Sequence, residues 1–260
     1  MGATDIAWHG MLAAYAVLIV SLVLLRITRV RLARELLVAV ARMSLQLYLV
    51  GFYLTALFEL NSPLVNVAWV LVMVAAANLS LLRGSGLSLR LFFVTYPALL
   101  LAVGAVLAYF MLLVFAPDPV LDARYVIPVA GMLLGNSMNR AIITLERFYS
   151  DIRTDQAGYV SLVAMGASVG EATAPYLASA YRAGLAPALA NTANIGLVFL
   201  PGMMTGQILG GSEPMTAIEY QIAIILAIFV TTELASLLAI RFSMIRGFDA
   251  LGFLDPAVFR

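Results

Sequence analysis

The polar side chains able to do chemistry in this 260-residue chain are few, and most are set inside apolar runs. In GMLLGNSMNRAIITLERF (131–148), Asn136, Ser137, Met138 and Asn139 follow directly on the Gly131-x-x-x-Gly135 pair. Deep in lipid such groups either hydrogen-bond across close-packed helices or line a path, offering amide, hydroxyl and thioether groups to a passing solute. In NTANIGLVFLPGMMTGQILGG (191–211), glycines recur at 202, 206 and 210, and Pro201 removes a backbone hydrogen bond in mid-span. A kinked or broken helix is expected there, its freed carbonyls facing protein or a wet cavity. Pro201, Gly202, Met203, Met204 and Gln207 are therefore candidates for the part that moves or touches cargo, although adjacent methionines also simply fill space. Glu233 is the only acid well inside an apolar run. Its insertion costs about 2.5 to 3.5 kcal/mol, so it requires a partner or access to water, by solvation from the near side or through a cation contact.

Other chemistries are excluded. There is no cysteine and no lysine, and the single histidine is His9, ahead of the first apolar run. Thiolate ligands, disulfides, the lysine of a Gly-x-x-x-x-Gly-Lys nucleotide loop, a His-based zinc site and a Ser-His-Asp triad all fail on composition. No catalytic residue and no cofactor in this chain are expected, and no metal site of recognisable ligand spacing is found. If ATP drives anything here, a separate ATPase subunit binds it.

The elements that position these residues are membrane spans. The chain is 63% hydrophobic and 11% charged, with a mean hydropathy of +1.01, far more apolar than a water-soluble core of this size could hide. Seven apolar runs, 10–25, 36–60, 64–82, 91–115, 125–145, 185–209 and 217–240, can each cross roughly 30 Å of hydrocarbon as a helix. Strand alternation is absent. The expectation is an all-α polytopic transmembrane bundle of about seven spans forming one integral membrane domain over 1–260, multi-pass in the plasma (inner) membrane. All 15 basic residues are arginines. If Arg26 to Glu35 is cytoplasmic, alternation leaves only Arg124 outside, which fixes an N-out, C-in orientation by the positive-inside rule. Arg140 and Arg147 then fall at cytoplasmic helix ends. The basic residues thus report topology rather than a nucleic-acid site. The long stretch 148–184, interrupted by Gly158, Gly166, Gly170 and Pro175, is expected to form two short cytoplasmic helices.

Within that stretch, LVAMGASVGEA (162–172) resembles the Gly-Ala-Ser core of the coupling loop by which ABC permeases dock on their ATPases. Val160, Ser161 and Leu162 stand where importers of that class carry Glu-Ala-Ala. Taken together with ERFYSDIRTDQA (146–157), GMLLGNSMNRA (131–141) and GLVFLPGMMTGQILGGSEPMTAIEYQI (196–222), the sequence resembles the FetB family of ABC-type permeases over most of its length. The resemblance implies a permease that pairs with a separate ABC-type ATPase, as two permeases with two ATPases. It places functional importance on Gly135 to Asn139 and on Leu200 to Gln207; the candidates for ATPase coupling, from the partial coupling-loop likeness, are Gly166, Ala167, Ser168, Glu171 and Arg182. Bacterial members are linked to iron export and oxidative-stress resistance, and plant relatives to aluminium tolerance and, in one proposal, to UDP-glucose movement.

The expected function is ATP-driven efflux of iron or another metal or metal-linked solute, with an ATPase, a second copy of the chain and lipid as partners. The alternative is an ion-coupled secondary carrier or channel built on Glu233 and the asparagines.

Overall fold

The computed structural model describes residues 7–196 and 200–260. Six apolar helices are long enough to cross a bilayer. The first is Trp8–Ile27, in which α1 (Trp8–Ala16) runs on through Val17 into α2 (Leu18–Ile27). Then follow α3 (Ala33–Leu60), α4 (Pro63–Gly84), α5 (Phe92–Tyr109, prolonged by a π-helical turn over Phe110–Val114), α6 (Ala123–Thr154) and α10 (Pro214–Gly247). Among the described residues there is no β-strand, only two isolated bridges. Lipid offers no partner to a free amide, so each crossing satisfies its backbone internally as a helix.

The seventh expected span, 185–209, is not one helix. Beyond the short α7 (Gln156–Ala164), α8 runs unbroken from Val169 to Asn194, straight through the boundary the sequence suggested near Gly184. Ile195 is extended, Gly196 has a φ of +85°, and α9 (Gly202–Leu209) starts only after Pro201. Leu197, Val198 and Phe199, which belong to the quoted motif, lie outside the described residues. The insert therefore holds one short helix and the first half of a long one. Pro175 and Pro187 sit inside α8 on its exposed side, where the carbonyls they free are not shut in. The opposite face, Ala172, Ala180, Gly184 and Ala188, is buried.

α10 is the axis of the bundle, packed along α5 and α6, while α6 in turn packs on α4 and α8. Small residues on α10, Ala227, Ala235 and Ala239, are fully buried and bring the backbones together. The closest approaches between helices occur at Gly184, whose absent Cβ would overlap Thr144 Oγ1, at Gly247 against the Tyr149 hydroxyl, and at Gly84 against Ile142. The glycines singled out from the sequence are different. A Cβ on Gly135, Gly202 or Gly206 would meet nothing within 4 Å, and one on Gly131 would only touch Met73. Among the described residues, the expected close packing on that Gly-x-x-x-Gly face comes down to the single Gly131–Met73 contact. The Trp8–Ile27 helix and α3 are peripheral, joined to the rest through Leu57 on Ala123 and Ile127 and a Tyr53–Trp69 ring contact at 4.6 Å.

The two ends of the bundle differ. At one, Asn61 Oδ1 accepts from the Ala123 amide and Asn66 Nδ2 donates to Leu121 O, tying the α3–α4 turn to the start of α6. At the other, the carboxyl-terminal tail folds back, with Arg260 N donating to Gly86 O and Ser88 N to Val258 O, and Arg153 lying over the Phe259 ring. This second end gathers the α4–α5 turn, α7, the tail and most of the arginines. Asn78 Nδ2 donates to Phe92 O, joining α4 to the start of α5.

Candidate functional site

A cleft of about 240 Å³ opens where α6, the end of α8, the break before α9 and α10 converge. α6 contributes Asn136 and Arg140, one helical turn apart; α8 contributes Asn191 and Thr192. Pro201 closes one side. α10 supplies a stripe, Gln221, Ile225, Ile228, Phe229 and Thr232, whose spacing keeps all five on one face over three turns. The side-chain carbonyl of Gln221 and the hydroxyl of Thr232 are buried without a hydrogen-bond partner among the described residues. Asn136 gives its amide to Met132 O, leaving its carbonyl open.

The structure thus brings Asn136 and Pro201 together and separates them from the other candidates. Ser137 is buried and spends its hydroxyl on Leu133 O of its own helix, at 2.6 Å. Met138 packs into the core, and Asn139 is exposed outside the cleft. On α9, Met204 is buried, Met203 and Gln207 are half-buried, and Gly202 is exposed; none of these lines the cleft, although Gln207 Oε1 is also buried without a partner. Glu233 follows Thr232 and so falls about 100° round α10. It is half-buried, with its backbone carbonyl accepting from the Tyr181 hydroxyl.

Sequence reasoning missed Arg140, Asn191, Thr192, Gln221 and Thr232. Arg140 is not at a helix end: α6 continues about 14 residues beyond it, roughly 21 Å. The one ion pair among the described residues joins Arg147 to Asp151, so Arg140 has no acidic partner there. An unpaired arginine at membrane depth costs about 2.5 to 3.5 kcal/mol and marks a wet or ligand-bearing cavity. The pair Gln221 and Thr232, eleven residues apart in an otherwise apolar run, was the available signal.

The second candidate site is the tip between α7 and α8. Gly166 turns the chain with a φ of +93°, Met165 is 76% exposed, and Ser168 caps α8. The Ser168 hydroxyl accepts from the Glu171 amide, while its own hydroxyl and amide donate to Glu171 Oε2 at 2.7 and 2.8 Å. These two bonds hold the Glu171 carboxyl below the usual carboxylate range. Behind the exposed tip the structure is braced. The Tyr159 hydroxyl donates to Gly252 O at 2.6 Å, tying α7 to the tail, and Tyr176 donates to Asp155. Burial and that acid push the Tyr176 phenol up to about 12. Ala167 is half-buried within the tip. Arg182 is not part of it; three turns further along α8, it lines a separate groove with Arg147 and Ser179.

The model of the Uncharacterised protein family UPF0014 matches residues 8–248. The chain is 34% identical to UPF0014 membrane protein slr1647 of Synechocystis over 90% of its own length and 88% of that protein's. It is 32% identical to Protein ALUMINUM SENSITIVE 3 of Arabidopsis thaliana over 82% of its length and 77% of the relative's. It is 26% identical to the Probable iron export permease protein FetB of Escherichia coli, over 92% and 91%. No solved structure matches the chain.

Proposed function

Since the chain belongs to the UPF0014 family of membrane proteins, we propose that it is the membrane-spanning permease subunit of an ATP-driven exporter, moving iron or a metal-linked solute out of the cytoplasm. The observation that carries this reading is the exposed, capped tip at 165–171, held against the bundle by the tail. A motor that closes on ATP needs a stiff projection to push, and a helix start locked by a capping box and backed by Tyr159 and Tyr176 transmits displacement instead of absorbing it. The ATPase is a separate chain, because the lysine-free sequence cannot form the phosphate-holding loop.

The broken crossing is the second part. α8 rises beside α6 and stops at the cleft, and α9 restarts on its far side, so movement of the tip along α8 reaches Asn191 and Pro201 directly. Asn136, Asn139, Asn191 and Asn194 are exposed on the single chain. Amides at bilayer depth do not face hydrocarbon; a second copy across a shared polar path covers them. With the positive end in the cytoplasm, the arginine-rich end carrying the tip meets the motor there.

The test is reconstitution in vesicles with and without a candidate ABC-type ATPase subunit. Metal efflux, supplied as iron, is expected only with both chains and ATP, and Ser168→Ala is expected to reduce it. Full-rate movement without ATP or motor overturns the proposal. The half-buried, unpaired Glu233 favours the second reading, an ion-coupled carrier or channel, which requires Glu233→Gln to abolish transport while the tip tolerates change.

A further inference from the structure

We infer that the cleft around Arg140 is a binding site for an anion, so that the cargo is a negatively charged solute or an anionic metal complex and not a bare divalent cation. The inference rests on the permease reading above and names the substrate class of its path. The polar lining is one guanidinium with the amides of Asn136, Asn191 and Gln221 and the hydroxyls of Thr192 and Thr232; no carboxylate or imidazole is among the lining residues.

A bare divalent ion dehydrates only where anionic or imidazole donors replace its water, and this lining places a fixed positive charge there instead. Among the described residues no group of three acidic or histidine side chains is placed to hold a metal ion. An anion meets the reverse conditions. The guanidinium offers a planar fork of N–H donors for a carboxylate or phosphate, with no acid in ion-pair range to neutralise it. Two further polar groups, on Gln221 and Thr232, are buried and unpartnered. A side-chain amide presents its N–H₂ or its carbonyl by a simple flip, and a hydroxyl rotates, so each can turn a donor into the cleft. They lie at the two ends of the α10 stripe, about 16 Å apart along the axis, with Arg140 on the facing helix. The volume of about 240 Å³ suits a small polyanion or a compact chelate.

The experiment is direct binding to the full-length permease in lipid nanodiscs, with citrate, ferric citrate, inorganic phosphate and ferrous chloride as probes. At least one anionic probe is expected to bind, to weaken as salt is raised, and to lose about tenfold or more in affinity in Arg140→Gln and less in Arg140→Lys, which keeps the charge but not the planar fork. Binding of ferrous ion alone that Arg140→Gln leaves unchanged or strengthens, binding by none of the anions, or anion binding indifferent to Arg140→Gln each overturns the inference. If Arg140→Gln fails to accumulate in the membrane, Gln221→Leu takes its place, with weaker anion binding expected and unchanged binding overturning it. No ATPase is present in this assay, so loss of the motor-driven reading and loss of the anion site are separately observable.

Discussion

At the scale of single residues, the chain separates glycines that permit contact from glycines that merely occupy a motif. Gly184 lets α8 lie against Thr144 and the Arg140 carbonyl of α6, and a methyl there must displace one helix or the other. Gly184→Ala is expected to cost about 1 to 3 kcal/mol, read as a lower melting temperature of the detergent-solubilised protein, whereas Gly135→Ala is expected to leave it nearly unchanged. Glu171 supports a pH prediction. Its carboxyl is held below the ordinary range by the Ser168 bonds, so the contribution to the start of α8 is present above that range and lost as pH falls through the folded value. Protection of the first-turn amides of α8 from hydrogen exchange is expected to be greater in wild type than in Glu171→Gln at neutral pH, with the difference vanishing well below pH of about 4. The sequence made the capping pair legible, since Ser168 and Glu171 stand at the capping-box spacing. It did not make Arg140 legible. An arginine followed, after Ala141-Ile142-Ile143, by TLERFYSDIRT looks like a helix end in water, and only the continuation of α6 to Thr154 places it inside.

At the scale of elements, the continuous spans were legible because lipid demands an unbroken apolar run, and six of the seven expected runs became continuous helical crossings. α8 was not. Its segment EATAPYLASAYRAGLAPALANTAN is small, mildly apolar and punctuated by two prolines, all of which read as interruption. Burial of its alanine and glycine face against α6 outweighs those local preferences, as tertiary packing commonly does. The real break comes a few residues later, where Gly196 adopts a left-handed conformation and Pro201 begins a new helix. Gly196→Ala is expected to destabilise by about 1 kcal/mol through that backbone strain, while Gly202→Ala, at the open first position of α9, is expected to be neutral or slightly stabilising. Paired thermal melts of the two variants check this. If the break is the moving part, Gly196→Ala also slows ATP-driven efflux more than its melting shift accounts for, and Gly202→Ala does not.

At the scale of the whole molecule, one end of the bundle carries the α4–α5 turn, α7, the tip and the tail, and the opposite end carries the asparagine-tied α3–α4 turn. Counted with the proposed crossing split between α8 and α9, the six apolar helices make an odd number of passages, which would put the two ends of the described chain on opposite faces of the membrane. The proposed orientation follows from arginine asymmetry, which sets the end bearing Arg83, Arg90, Arg153 and Arg246 in the cytoplasm. The absence of cysteine makes this directly measurable with single introduced thiols. Ser62→Cys, in the short turn before α4, is expected to react with a membrane-impermeant maleimide in intact cells, and Ser161→Cys, exposed on α7, only after the membrane is opened. The same labelling of Ser161→Cys is expected to fall when the ATPase is co-expressed, because a motor seated on the tip shields α7. Reaction of Ser161→Cys in intact cells would place the tip on the side where no ATP is available, and the coupling role of the capped turn would fall with it, while the anion site at Arg140 would keep its own test.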